Sequence, residues 1–482
     1  MKKHYSQLII LFCLLTGVGN AQYKKLHDFN IFDLTNGGGP YGTMALNNGK
    51  LYGMTSSGGK DSIGIIFSID TNGGGYRIEH NFSGIDGAQP LYCSLTLSGN
   101  KFYGIATSGG TKKDGVIFSM DTDGSVYKVL YNFDSINGQY PQGKLTISGN
   151  KLFGTPYNGS KYFNPKNGEY YGIIFSIDTN GGGYKVLLDF NGTNGGNPYG
   201  CELIHLRNKL FGTTSSGGKY NGGTIFSIDT SGSKFINLFN FGDSTGCSTN
   251  GAEPNGSLAF SGNKLYGMTA CGGIGVGGTL FSIDTNGNGY RVLFNVTNGG
   301  DSYCSIVLSN SILYGVTQGG SLGYGYIFSV DTNGKNANEM FDFNNANGAR
   351  PVLCGLTLWG GMIYGVTDNG GANNVGVIFS YKDTSVTTSV DKLIVNSEKL
   401  KVYPNPVNSV LTVEVKSEKL IVNSIVEIYN VLGEKVYAQN LKLAQGENSF
   451  TFDVSGFSSG VYLLQINTAD GVGVASKKFV VK

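Results

Sequence analysis

The chain has 482 residues, 77 of them Gly, with 12% aromatic and 14% charged residues. Its 35 Lys and Arg stand against 33 Asp and Glu, a balance that leaves no charge excess to hold nucleic acid or an anionic membrane. Abundant glycine alongside abundant aromatics excludes a disordered chain, which lacks the aromatics, and fits many short strands joined by tight turns.

The first residues carry the three parts of a signal peptide over 1–21. Lys2 and Lys3 precede the apolar run 8–18, and Gly19-Asn20-Ala21 places small residues ahead of Gln22. That run is too short for a permanent anchor. No later stretch is apolar for ~20 residues, so the mature chain is expected to have no transmembrane segment. Cys13 follows the bulky Phe12, which argues against a lipoprotein.

Residues 22–384 repeat themselves, with a period of roughly 50 residues. One anchor is an apolar residue, an aromatic and Gly, as in Leu51-Tyr52-Gly53, Phe102-Tyr103-Gly104 and Ile363-Tyr364-Gly365, in seven copies. A second anchor follows each, as in Phe67-Ser68-Ile69-Asp70, with equivalents at Phe118, Phe175, Phe226, Phe281, Phe328 and Phe379. Each repeat reads as four strands. In the second repeat these are 94–97, 101–104, 116–120 and 127–130, separated by Ser-Gly-Asn, a Gly-rich loop and Asp-Thr-Asp-Gly. β-Branched and aromatic runs bounded by Gly, Asn and Asp are the strand-and-hairpin signal. The third strand is apolar on both faces and so needs cover on both sides. Phe379 has no fourth strand after it, but Tyr23-Lys24-Lys25-Leu26-His27-Asp28-Phe29 matches the missing segment. The N-terminal strand can complete the last repeat and leave no open edge. The expected fold is all-β: a seven-bladed propeller of four-stranded blades, closed by the N-terminal strand. An open solenoid is the alternative.

The pattern of Pro, Leu-x-Leu, Leu-Tyr-Gly-x-Thr, Gly-Gly and Gly-x-Ile-Phe-Ser-Ile-Asp resembles the Gloeobacter/Verrucomicrobia tandem repeats over about 23–384. Some copies depart from it. The third has Pro156-Tyr157-Asn158-Gly159 without the Gly pair, the sixth has Asp301-Ser302 in place of Pro, and the seventh has Lys382 in place of Asp. The resemblance implies no settled activity.

Residues 385–400 lose the glycine pattern and read as a linker. From 401 to 482 short alternating strands suggest a small β-sandwich. Four elements follow in order: Tyr403-Pro404-Asn405-Pro406; Ile428-Tyr429-Asn430 with Leu432-Gly433-Glu434; Ser459-Gly460-Val461-Tyr462-Leu463; and a last strand with Lys477 and Lys478. They resemble the C-terminal sorting domain of type IX secretion. The resemblance implies an immunoglobulin-like β-sandwich, recognition by the outer-membrane translocon, processing by its sortase, a Bacteroidota-type source, and a destination outside the cell or on its surface.

Six cysteines follow the signal. None forms Cys-x-x-Cys, which argues against zinc. Export permits disulfides. Cys247 and Cys271, in two loops of one repeat, are the first candidate pair, and Cys304 with Cys354 the next.

Histidine is scarce, with His27, His80 and His205 after the signal. His27 and His80 hold equivalent outer-strand places, as structural filling would. No Gly-x-Ser-x-Gly, His-Glu-x-x-His or phosphate loop occurs. Asp70, Asp121, Asp178, Asp229, Asp284 and Asp331 open turns. Each is expected to accept the backbone N–H two residues on, with weak calcium binding as the alternative. A ligand site is expected on the face of the long loops. The longest, 156–172, carries Tyr157, Tyr162, Phe163, Tyr170 and Tyr171 beside amides, a composition suited to sugar stacking or to stapling the loop. The expected protein is secreted or surface-attached, non-catalytic and cofactor-free, and binds glycan or protein. A glycan-active hydrolase or lyase using acids of the loop face is the alternative.

Overall fold

The computed structural model describes residues 22–164, 168–243, 246–275, 277–296, 305–352, 354–383, 400–430, 435–468 and 473–482. The expected signal, residues 385–399, Cys304, Gly433 and Glu434 lie outside them. The chain divides into two compact units at Asp383 and Thr384. Among the described residues every regular element is a strand.

In the first unit the described residues form seven main sheets and a small two-stranded one, Phe163–Asn164 with Glu169–Tyr170. Sheet 1 runs Gly37–Asn47, Lys50–Gly58, Ile65–Asp70 and Arg77–Asn81. The next five repeat this order, and sheet 3 gains a short parallel rung from Cys93–Ser94. Sheet 7 takes Thr357–Trp359, Met362–Thr367 and Val377–Lys382 from the end of the unit and its fourth strand, Tyr23–Asp28, from the start. Tyr23 faces Tyr381 and Asp28 faces Val377, with a bulge between Lys25 and His27. The internal fourth strands bulge at the same place, for example between Val129 and Tyr131.

The two anchors of the repeat meet in space. The ring of the third-strand Phe lies against the Gly of the second strand in every sheet. A Cβ at Gly53 would stand 2.5 Å from Phe67, at Gly104 2.4 Å from Phe118, and at Gly365 2.4 Å from Phe379. Any side chain there displaces a fully buried ring, and so the chain repeats Tyr-Gly and Phe-Ser together.

Neighbouring sheets are joined by three recurring devices. Fourth-strand rings stack in parallel: His80 on Tyr127 at 3.8 Å, Tyr131 on Tyr184 at 3.9 Å, Phe239 on Tyr290 at 3.9 Å. First-strand threonines donate across, as Thr146 does to the Leu203 carbonyl. The repeat's Pro packs on the Gly that opens the preceding sheet's third strand, so that a Cβ at Gly115 would lie 2.6 Å from Pro141. All three devices also join sheet 7 to its neighbours at the two ends of the unit. Tyr23 stacks on Phe341 at 4.3 Å, and His27 on Tyr76 at 3.9 Å. Thr357 donates to the Met44 carbonyl at 2.6 Å, and a Cβ at Gly376 would meet Pro40 at 2.6 Å.

The turn aspartates correct the sequence reading. Four of the six carboxylates take the Lys that opens the second strand: Lys50–Asp70 at 2.7 Å, Lys151–Asp178 at 2.8 Å, Lys264–Asp284 at 2.7 Å, and Lys101–Asp121. Asp229 instead meets Lys234 at 3.9 Å, and Asp331 accepts the Asn336 amide at 2.7 Å. The Asx turn belongs to the residue two places on. Gly74 N–H donates to Asn72 Oδ1 at 2.8 Å and Ser125 N–H to Asp123 Oδ1 at 2.9 Å. Strand register explains this, because Lys50 lies directly opposite Asp70.

The second unit is one sheet of five strands, Leu400–Tyr403, Val410–Tyr429, Lys435–Asp453, Gly460–Thr468 and Gly473–Val481. Its first strand begins one residue inside the segment read as linker. Its core includes Leu400, Val413, Val426, Ile428, Leu464 and Phe479.

Candidate functional site

The loops joining second to third strands and fourth to first strands bring four tyrosines together. Tyr41 belongs to sheet 1, Tyr92 and Tyr199 lead into the first strands of sheets 2 and 4, and Tyr157 ends the second strand of sheet 3. Their rings follow one another edge to face or tilted: Tyr41–Tyr92 at 4.8 Å, Tyr92–Tyr199 at 5.5 Å, Tyr199–Tyr157 at 5.4 Å. All four are half-buried. Beside Tyr41 lies Asp368, whose carboxylate accepts the Tyr41 hydroxyl at 3.5 Å. Asp368 is only 7% exposed. Burial pushes its carboxyl up to about 7, against the pull of the nearby Arg350 guanidinium. Burial also raises the Tyr41 phenol, and the Asp368 charge raises it further.

The first strands of sheets 2 to 5 converge on a cavity of about 480 Å³, lined by Thr96, Lys144, Glu202, His205, Leu258 and Phe260 among others. Lys144 and Glu202 pair there at 2.9 Å.

The residues read from loop 156–172 separate into three groups. Tyr157 joins the row. Phe163 and Tyr170 face each other at 5.5 Å across a two-stranded hairpin, and with Tyr162 they are the exposed members, at 53%, 40% and 48%. Tyr171 packs against the sheet 3 and 4 core beside Phe190 and Leu203. Sequence reasoning missed Tyr41, Tyr92 and Tyr199. The available signal was a Tyr one or two residues after the inner Pro in three repeats.

In the second unit the Tyr-Pro-Asn-Pro segment is tied to the last strand. Asn405 Oδ1 accepts the Val480 N–H at 2.9 Å, and the Val407 N–H donates to the Val480 carbonyl at 2.8 Å. The Tyr403 hydroxyl donates to Glu414. Tyr462, two residues after Gly460, is buried against Phe479 at 5.7 Å, while Lys477 and Lys478 are exposed on the same strand. Segments far apart in the chain thus form one surface.

The model of the Gloeobacter/Verrucomicrobia repeat matches residues 15–169 and 165–298, more than half of the chain. The chain belongs to the Gloeobacter/Verrucomicrobia repeat family. The model of the secretion system C-terminal sorting domain matches residues 401–482. This repeat protein is therefore sorted by type IX secretion and crosses the outer membrane, to the cell surface or beyond. No helix among its described residues is long and apolar enough to cross a membrane.

Solved structures similar to this repeat protein include three with low identity. An oligogalacturonate lyase in complex with manganese is 11% identical over 76% of this chain and 95% of that one, with a TM-score of 0.47. The β-propeller domain of the Trilobed protease from Pyrococcus furiosus is 12% identical over 71% and 95%, at 0.43. The GH74 xyloglucanase from Xanthomonas campestris is 11% identical over 72% and 52%, at 0.46. No curated protein matches the chain.

Cysteine and histidine serve the fold of this family member. Cys247 and Cys271 form a disulfide across 24 residues. Cys93 and Cys201 are buried, and burial pushes their thiols up to about 12 and about 11. Cys354 is also buried, its thiol donating to the Val352 carbonyl at 3.1 Å. The pairing of Cys354 with Cys304 falls outside the described residues. His27 and His80 stack in sheet junctions, and burial lowers both below the usual 6.5. Among the described residues no group of three or more His, Cys, Asp or Glu could hold a metal ion.

Proposed function

We propose that residues 22–383 close into a seven-bladed propeller that binds a glycan across the tyrosine row without cleaving it. We further propose that the C-terminal unit is an immunoglobulin-like module read by the translocon and its sortase. Ring closure is supported by the identical junction devices at internal and terminal sheets. The binding reading rests on one observation: four half-exposed tyrosine rings in sequence, drawn from four different sheets onto the long-loop face. Such a row offers apolar faces for sugar C–H groups and hydroxyls at the edges. Phe163 and Tyr170 extend it on the hairpin as a second aromatic pair.

The test is a screen of the chain from Gln22 on arrayed neutral and acidic oligosaccharides, with product analysis on the same sugars. Binding without new products is expected, and Tyr92→Ala or Tyr199→Ala should weaken it at least tenfold. A silent array rejects the glycan reading and leaves a protein ligand or a structural surface role.

Asp368 favours a second reading, a glycan-active hydrolase or lyase. A carboxyl raised to about 7 beside the tyrosine row has the protonation behaviour of a general acid. Cleavage lost in Asp368→Asn would establish it and reject the non-catalytic reading.

A further inference from the structure

Two repeated positions, at and just before the first strands, are broken in sheets 3 and 4 alone. The earlier position is Thr43, Ser94, Lys144, Glu202, Ser257, Ser305 and Gly355 in sheets 1 to 7. Three residues on stand Leu46, Leu97, Ile147, His205, Phe260, Leu308 and Leu358. The earlier position is thus a small neutral residue and the later one apolar, with three exceptions. Those exceptions, Lys144, Glu202 and His205, all line the same cavity of about 480 Å³.

The fold has no need of these charges. At the earlier position a hydroxyl of one sheet accepts an N–H of its neighbour. Thr43 N–H donates to Ser94 Oγ at 2.8 Å, Glu202 N–H to Ser257 Oγ at 3.0 Å, and Ser257 N–H to Ser305 Oγ at 3.0 Å. Sheets 3 and 4 meet at this level through the Lys144–Glu202 ion pair at 2.9 Å, whose side chains are each 31% exposed. Two charges are therefore drawn partly out of water where serine makes the link elsewhere, and their mutual attraction does little more than offset that desolvation.

His205 departs in the same sense. His27 and His80 stack on Tyr76 and Tyr127 and bond Asn36 and Asp86. His205 has neither kind of partner among the described residues, and it lines the cavity instead. The threonines beside it are occupied: Thr96 donates to the Leu145 carbonyl and Thr146 to the Leu203 carbonyl. The polar groups left for a ligand are an ammonium, a carboxylate and an imidazole, against apolar walls of Ile204, Leu258 and Phe260.

We propose that this cavity binds a zwitterionic small molecule, an α-amino acid or a dipeptide. Its ammonium group meets Glu202, its carboxylate meets Lys144, and its apolar side chain lies on Ile204, Leu258 and Phe260. A ligand with one charge pairs one partner and strands the other, and an uncompensated charge out of water is costly. A neutral ligand has nothing to match the ion pair it displaces. A zwitterion replaces one ion pair by two and keeps the cavity neutral. The neutral His205 ring, with one donor and one acceptor nitrogen, suits the peptide group of a dipeptide. The cavity volume is within the range of small-molecule sites. This site needs neither the tyrosine row nor the closure of the ring.

The test uses the chain from Gln22 to Lys482. Calorimetric titration is made with L-leucine, L-phenylalanine and L-leucyl-L-phenylalanine, and with the N-acetyl and C-amide form of each, which lack one charge. At least one zwitterion should bind, and its blocked forms at least tenfold more weakly. Replacing Lys144 and Glu202 together by Ser, the residue of sheets 2, 5 and 6, should abolish binding and leave the melting temperature within about two degrees of the parent. His205→Leu should weaken the dipeptide about three- to tenfold and leave the free amino acids unchanged. Lys144→Met and Glu202→Gln, which keep side-chain volume, carry the test should the double serine variant fail to fold, and each should lose at least tenfold in affinity. A parent that binds none of the three zwitterions overturns the proposal. Blocked forms that bind as well as the zwitterions overturn it too, as does parent-like binding in the double serine variant or in either single one.

Discussion

Replacing Phe29 by Ala tests whether the N-terminal strand is an integral fourth strand of sheet 7. Phe29 is 0% exposed. Its ring meets His27 at 5.0 Å, Phe67 at 5.4 Å and Tyr76 at 6.3 Å. Its N–H donates to the Gly376 carbonyl at 3.1 Å. Phe133, at the same place in sheet 2, meets Tyr131 at 5.3 Å, Phe175 at 5.5 Å and Tyr184 at 6.1 Å. Its N–H donates to the Gly115 carbonyl at 3.0 Å. The two sites are equal in burial, in ring geometry and in backbone bonding. Truncating a buried Phe costs about 3–5 kcal/mol through lost transfer energy and the cavity left behind. Phe29→Ala and Phe133→Ala should therefore cost the same, about 3–5 kcal/mol each. Urea unfolding followed by far-ultraviolet circular dichroism compares them through the shift in midpoint. A Phe29→Ala loss below about 0.5 kcal/mol, the scale of a surface substitution, beside the full loss for Phe133→Ala would refute closure of the ring by this strand.

Four further predictions follow from individual contacts. Gly376→Ala, at φ +102° with its Cβ 2.3 Å from the Thr367 carbonyl and 2.6 Å from Pro40, should lower the melting temperature far more than Gly149→Ala. Gly149 is also left-handed at +59° but has nothing within 4 Å, so equal effects would show that the Gly–Pro junction carries little. Cys247→Ser removes a cross-link spanning 24 residues and should cost about 3 kcal/mol by chain entropy, read as a lower melting temperature that added reductant does not lower further. His80 sits below its usual 6.5 because it is buried, so the unfolded chain binds the extra proton. Stability is lost as pH falls through 6.5 toward the folded value, and His80→Gln should flatten that loss in melts between about pH 7 and 5. Asp368 is raised from 3.8 to about 7, so the folded chain keeps a proton the unfolded chain releases. The resulting destabilisation grows as pH rises from about 4 to about 7. Asp368→Asn should match the parent near pH 4 and exceed it near pH 8 by on the order of 2–4 kcal/mol.

The repeat was legible because its two anchors obey one contact. A Gly pressed by a Phe ring must recur together with that ring, and spacing alone reveals the pair. The N-terminal strand was legible for the same reason, since Tyr23 and His27 take the places that Tyr127 and Tyr131 hold in sheet 2. The turn aspartates were misread because a local rule was applied to a cross-strand pair: Lys50 is 20 residues from Asp70 in sequence but opposite it in register. The tyrosine row was hidden by its construction. Tyr41, Tyr92 and Tyr199 follow their prolines at different offsets, and Tyr92 meets Tyr199 from sheets 2 and 4, two repeats apart. No periodicity within one repeat encodes a contact between non-adjacent repeats.

Sevenfold repetition separates what the fold demands from what it merely permits. Where every copy agrees, as at the Phe of the third strand and the Gly beneath it, one contact accounts for all. Where the copies differ although the backbone does not, the fold fixes the backbone and leaves the side chain open. The residue before the inner proline keeps φ near +50° through Gln, Tyr, Asn, Glu and Arg. The turn between first and second strands, at the other end of the sheet, shows the same freedom. Its left-handed residue is Gly99, Gly149, Gly262 or Gly360 in four copies and Asn48, Arg207 or Asn310 in the other three, with φ between +48° and +64° throughout. Glycine removes the steric cost of that conformation, yet no neighbouring ring presses on these turns as it does on Gly53 or Gly104. The sequence is therefore strict where a side chain would collide and variable where it would only be strained.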